Sequence, residues 1–208
     1  MVTPFWGRQG RLATNPIAMC FPNPIGPPLL LDIATATAAD GKIKVALDQG
    51  KLIDDGWIIN KEGLPSRDPV DFFNGGMLLP LGGKQGHKGY CMAVMVEILS
   101  GILARTGTAA KNPPDLNNGT FMIVIDLKAF VSVDQYEEEA AELVNYLHAT
   151  LPECGREGVW VPGEYEARNE EERTREGIPV STETWRQVEN IVKELGLTAP
   201  VPKKVNSQ

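Results

Sequence analysis

Leu81-Gly-Gly-Lys-Gln-Gly-His-Lys-Gly-Tyr90, running without a break into the apolar Cys91–Arg105, is the stretch around which this fold is organised. Glycines let backbone amides approach an anion closely, and the helix that follows adds its positive N-terminus. His87 and Lys88 stand at that start, where donor or cationic side chains reinforce phosphate binding. A glycine-rich turn needed only for packing, with Lys88 solvated, accounts for the same glycines. The segment is not a P-loop, because Lys88 is followed by Gly89 and the GxxxxGK[ST] spacing fails; GxGxxG occurs nowhere, so the usual Rossmann fingerprint is absent as well. The apolar run is hydrophobic on nearly every face, which predicts a helix buried in a core or an interface.

Working outward, Ile17–Phe21 and the apolar Pro28–Ala34 read as strands. Gly41–Gly50 reads as one helix with Gly50 past its end, and Gly56–Gly63 as a strand and tight turn. Leu64–Leu81, with its prolines and glycines, reads as irregular. Thr106–Asn118 is predicted as a loop, Thr120–Leu127 as a strong strand and Val159–Pro162 as a short one. Ser132–Ala149 and Ser181–Leu195 carry amphipathic helical spacing, each behind a serine that can cap it. The highly charged Gly163–Gly177 lies between them, and Ala199–Gln208 is expected to be a frayed tail. Together these predict a mixed α/β domain over residues 1–198 with a flexible tail at 199–208.

Asp32 closes a buried strand. A carboxylate there can accept from a ribose hydroxyl, or it can cap the turn that follows. His148, late in its helix, fits that helix's negative end. Glu164-Tyr165-Glu166 reads as a solvated charged loop unless a ligand or subunit contacts it. Two histidines and no nucleophile elbow leave no nucleophile–base pair legible.

The chain has 208 residues, 21 of them glycine and 16 proline, and 42% are apolar against 23% charged. That composition excludes a disordered or collagenous chain. The most apolar stretch, Met92–Leu103, is interrupted by Glu97 and is too short to span a bilayer. A net charge of -7 disfavours nucleic acid as the main partner. Met1–Gly10 contains no apolar core of a signal peptide. Three widely spaced cysteines with no CxxC pair argue against a metal site and fit a reducing cytoplasm.

Several strings combine: Ala13-Thr14-Asn15-Pro16-Ile17-Ala18, Leu31-Asp32-Ile33-Ala34-Thr35, the Gly82–Tyr90 segment with Met92–Gly101, then Pro162-Gly163-Glu164 and Arg175–Val180. Their order and spacing resemble the malate/L-lactate dehydrogenase family that is unrelated to the Rossmann lactate and malate enzymes. That family also contains L-sulfolactate, ureidoglycolate and diketogulonate enzymes and a cyclic-imine reductase. The resemblance extends from about Thr3 to Leu195. It implies an L-sulfolactate dehydrogenase-like fold, a largely antiparallel or mixed sheet flanked by helices. It also implies a homodimer that transfers hydride between a nicotinamide cofactor and a small 2-hydroxy or 2-keto acid.

By the same resemblance, Asp32, Ile33 and Ala34 line the nucleotide, and His87 and Lys88 bind its phosphates. The Val161–Ala167 loop, including Pro162, Gly163 and Glu164, closes over it, and Thr14 lies near substrate or nicotinamide. Asp32 beside a ribose disfavours a 2′-phosphate, so NAD is expected over NADP. The family's Ser-His motif and its substrate-carboxylate arginine belong to a region that precedes the cofactor domain. No residue of this chain matches them, so no catalytic residue is assigned. A piece of a longer dehydrogenase is the first expectation. A nucleotide-binding module or regulatory subunit without turnover is the second, and a phosphate-binding enzyme of another class the third.

Overall fold

A computed structural model describes residues 1–111 and 118–198. The first half holds the packed core. Strands β1 (Ile17–Phe21) and β2 (Leu29–Ile33) form an antiparallel hairpin, with Ile17 opposite Ile33 and Phe21 opposite Leu29. A second antiparallel sheet has β3 (Ile58–Ile59) between β4 (Pro65–Ser66) and β5 (Met77–Leu78). The amino-terminal segment joins it: Val2 bridges both Leu12 and Leu78. Helix α1 (Asp40–Asp48) buries Ile43 against this sheet, and Gly50 beyond it takes the left-handed φ of +61° that ends such helices. Val2, Ala36, Ala38, Ile43, Ile53, Ile58 and Leu78 make one contiguous core.

Leu64–Leu81, expected to be irregular, contains β4, helix α2 (Pro69–Phe73) and β5. Asp68 initiates α2, its carboxylate accepting from the Val70 amide with Pro69 in the first turn. The prolines that suggested irregularity sit where a proline is tolerated, at a strand edge and a helix start.

The second half is helical. Helix α3 spans His87–Val96 and passes directly into a π-helical stretch, Glu97–Leu103. Ser132 caps α4 (Val133–His148) and Ser181 caps α6 (Thr182–Glu194), as their spacing predicts. Between them the charged segment is a helix, α5 (Glu164–Glu176), rather than a loop. Glu164 and Glu166 occupy its first turn and Arg173 and Arg175 its last, which complements the helix dipole.

Two apolar segments are left exposed by this chain alone. Cys91–Arg105 is not a core helix of this chain: Ala93 and Gly101 are buried, but Met95, Ile98, Leu99, Ile102 and Leu103 are exposed, so of the two expected burials, core and interface, the core is excluded. Thr120–Leu127 is not a strand. Its backbone enters no ladder with a described residue, and Phe121 to Ile125 are exposed, Val124 to 87%. Periodicity reports what a segment can bury, and a strand exists only where a second strand pairs with it. Val159–Pro162 likewise pairs through one bond, from the Leu30 amide to the Pro162 carbonyl, and forms no strand. The tail 199–208 lies outside the described residues.

Candidate functional site

Strand β2 is the spine of the site. At its far end the chain turns into Ala34 and Thr35, and Thr35 is almost completely enclosed at 1% exposure. Its amide donates to the Thr14 carbonyl at 2.9 Å. Its hydroxyl lies 3.0 Å from the carbonyls of both Thr14 and Asn15. Its own carbonyl accepts the Leu81 amide at 2.9 Å. One small residue therefore fastens Thr14 and the entrance to the glycine-rich loop to the strand carrying Asp32 and Ile33.

From Leu81 the loop is dictated by glycine. Gly82 and Gly83 take positive φ values of 113° and 55°, which few other residues adopt. Gly86 and Gly89 are buried, and a Cβ on Gly89 would stand 2.5 Å from the backbone nitrogen and oxygen of Leu81. The Gly89 amide donates to the Leu81 carbonyl, so the first turn of α3 lies directly on this backbone. The glycines thus serve packing. They also leave His87 and Lys88 exposed at the start of a ten-residue helix. The His87 ring stands edge-on to Phe5, 5.6 Å between centroids.

At the near end of β2, the Leu30–Pro162 bond brings in the second loop. Gly163 has φ of +100°, and a Cβ there would collide with the Pro28 carbonyl oxygen. Glu164 follows at once as the first residue of α5, so the segment expected as a loop over Val161–Ala167 is the short turn Val161–Gly163 followed by helix. The Glu164 carboxylate accepts from the Val161 amide at 2.9 Å, and His148 Nε2 at the end of α4 is 3.0 Å from both its oxygens. Partial burial pushes the Glu164 carboxyl up. The hydrogen bonds from His148 and Val161 and the charge of His148 outweigh this and leave it below the ordinary 4.5. Beside this turn, Arg168 lies over the Trp160 ring, 5.1 Å from its centroid, on a groove of about 380 Å³.

Of the residues singled out from sequence, Thr14 bonds Thr35 directly, Ile33 and Ala34 precede it, and His87 and Lys88 follow the loop that Leu81 ties to it, while the Val161–Glu164 turn attaches to Leu30 through Pro162. The anchor points Leu30, in β2, and Thr35, two residues past its end, are five positions apart in sequence, at most about 16 Å. Asp32 pairs with Ala18 in the ladder, and its exposed side chain caps no turn among the described residues. Sequence reading missed three members: Thr35, Asn15 and Glu97. The Asn15 side chain, 8% exposed with its backbone at φ of +40°, donates to the Ala93 carbonyl at 3.0 Å and to Glu97 at 3.1 Å. The available signal was Glu97 itself, a lone carboxylate in an apolar run, which needs a partner to be placed there.

A family profile described as malate/L-lactate dehydrogenase matches residues 1–189. An L-lactate dehydrogenase of Cupriavidus necator is 35% identical over 206 residues, 96% of this chain and 58% of that protein. A malate dehydrogenase of Pyrococcus horikoshii is also 35% identical, over 95% of this chain and 57% of its own. Among solved structures, malate dehydrogenase from Entamoeba histolytica superposes with a TM-score of 0.84 at 25% identity, covering 96% of this chain and 60% of that one. Sulfolactate dehydrogenase from Methanocaldococcus jannaschii gives 0.70 at 31%, covering 91% and 56%. The chain thus spans between half and two thirds of the length of the relatives it matches. The profile covers most of the chain and the relatives agree in sequence and fold: this chain belongs to the malate/L-lactate dehydrogenase family.

Proposed function

We propose that this chain supplies the nicotinamide-nucleotide-binding part of a dehydrogenase that moves hydride between the cofactor and a small 2-hydroxy or 2-keto acid such as malate or L-lactate. The observation that carries the reading is that one short stretch, β2 and the two residues after it, holds both candidate loops, one through Thr35 and Leu81 and one through Leu30 and Pro162. The donor set fits a dinucleotide. His87 and Lys88 offer donors or positive charge to phosphates at a helix start, and the Asp32 carboxylate is free to accept from ribose hydroxyls. Thr14 stands at the substrate end, Ile33 and Ala34 line the strand floor, and the Val161–Glu164 turn covers the opposite end. When bound, the nicotinamide supplies or takes the hydride.

Asp32 favours NAD over NADP, because a carboxylate repels a 2′-phosphate. The working protein is a homodimer in the cytoplasm, where its three exposed, unpaired cysteines remain reduced. A nucleotide-binding module without turnover is the second reading. It rests on the absence, among the residues matched here, of the family's proton-donating histidine, when ketone reduction needs a general acid.

Titration of the chain with NADH, followed by nucleotide fluorescence, tests the proposal. Saturable binding is expected, weakened in Lys88→Ala by about 1–3 kcal/mol as for a lost charge-assisted hydrogen bond. Failure to bind either NADH or NADPH would overturn it. Turnover of malate, lactate or sulfolactate separates the first reading from the second.

A further inference from the structure

The Asn15 amide sits where two helical geometries meet. The Ala93 carbonyl that it reaches also accepts the Glu97 amide, at the junction where α3 gives way to the π-helical Glu97–Leu103. Such insertions are uncommon and concentrate at functional sites. The second Nδ2 hydrogen goes to Glu97 Oε1, while Glu97 Oε2 accepts the Ala109 amide at 3.0 Å. The Asn15 carbonyl, in turn, accepts the Thr35 hydroxyl. A single buried side chain therefore spans from the backbone beside Thr14 to the helix whose first turn bears His87 and Lys88.

We propose that Asn15 and Glu97 are a positioning pair, holding the Thr14 edge of the site in register with α3. The inference rests on the proposed nucleotide reading for its functional consequence, and on the hydrogen bonds alone for the coupling. Asn15→Asp removes both donors and sets a carboxylate against Glu97 and the Ala93 carbonyl. A double variant combines Asn15→Asp with Glu97→Gln. Its new side-chain amide at position 97 can donate to the new carboxylate at position 15, while the amide oxygen keeps the Ala109 bond. The 15–97 pair is reversed in direction and no longer repels, while the carboxylate at position 15 still faces the Ala93 carbonyl.

NADH affinity is measured per folded molecule, well below melting, from pH 5 to 8. In Asn15→Asp it is expected to fall about tenfold, and to fall further as pH rises and both carboxylates ionise. The double variant is expected to recover the part of the loss that comes from the 15–97 contact, and to lose the pH dependence. A residue that only stabilised the fold would lower the melting temperature and leave this binding profile flat. An Asn15→Asp chain that binds NADH as the parent does at every pH would overturn the proposal. If the parent binds no nucleotide, the functional reading falls, and the coupling is judged by amide exchange in the free chain. Exchange at Thr35 and Ala109 must quicken in Asn15→Asp and slow again in the double variant; unchanged exchange, or no restoration, would overturn it.

Discussion

The carbonyl of Thr35 accepts the amide of Leu81 at 2.9 Å, and this bond ties the end of β2 to the loop that opens α3. The same residue's hydroxyl holds the Thr14 and Asn15 carbonyls. Thr35→Val keeps the shape and the backbone bonds but leaves the buried Asn15 carbonyl without its hydroxyl. Leaving a buried acceptor unsatisfied costs about 1–3 kcal/mol. Urea unfolding should register that loss; a change under about 0.5 kcal/mol would mean water or a shifted backbone replaces the bond.

Gly163→Ala meets two obstacles. Its backbone has φ of +100°, and the new methyl would collide with the Pro28 carbonyl oxygen, a rigid backbone atom. The turn must move away from β2 and give up the Leu30–Pro162 bond. A loss of about 1–3 kcal/mol is expected from the strain. NADH binding should weaken beyond the loss in stability. Wild-type affinity would remove this turn from the nucleotide site.

The Glu164 carboxyl titrates lower in the folded chain than in the unfolded one, so its contribution is present above the ordinary 4.5 and disappears as pH falls through the folded value. Glu164→Gln should therefore be less stable than the parent at pH 7, by about 1 kcal/mol for a partly exposed pair. The gap should close as pH falls through the lowered titration of the folded Glu164 carboxyl. Thermal melts of both chains from pH 3 to 7 measure it. A gap that stayed constant would show that the carboxylate charge contributes nothing.

Asp32 is exposed in mid-ladder with no partner among the described residues, so changing it leaves the hairpin intact. Asp32→Ser should leave NADH binding within a few-fold and tighten NADPH binding by about tenfold, through relief of like-charge repulsion. Parallel titrations with the two cofactors decide it. Unchanged NADPH affinity would place Asp32 away from the ribose.

What could be read from sequence is what local chemistry decides. β1, β2, α1, α4 and α6 lie where alternation, periodicity and capping serines put them, because each element's own residues specify it. The start of α3 at His87 was legible from glycine spacing. The misses share a non-local cause. Whether Thr120–Leu127 becomes a strand depends on a pairing partner, and whether Met95 or Ile102 is enclosed depends on what packs over them. The Asn15–Glu97 link joins residues 82 positions apart, and the His148–Glu164 pair joins two helix ends. Neither leaves a trace in any short window. Thr35 looked like a residue that merely follows a strand, because its three roles exist only once Thr14 and Leu81 arrive.

The bare Phe121–Ile125 stretch also determines how this molecule behaves as a colloid. Five consecutive apolar residues, exposed and with no ladder to any described residue, present the pattern that seeds edge-to-edge association. Against it stands mutual repulsion from a net charge of -7. That repulsion acts over about 10 Å at 0.1 M salt and only about 3 Å at 1 M. Solutions of this chain should therefore turn cloudy when salt is raised, and a single charged residue at Val124 should keep them clear.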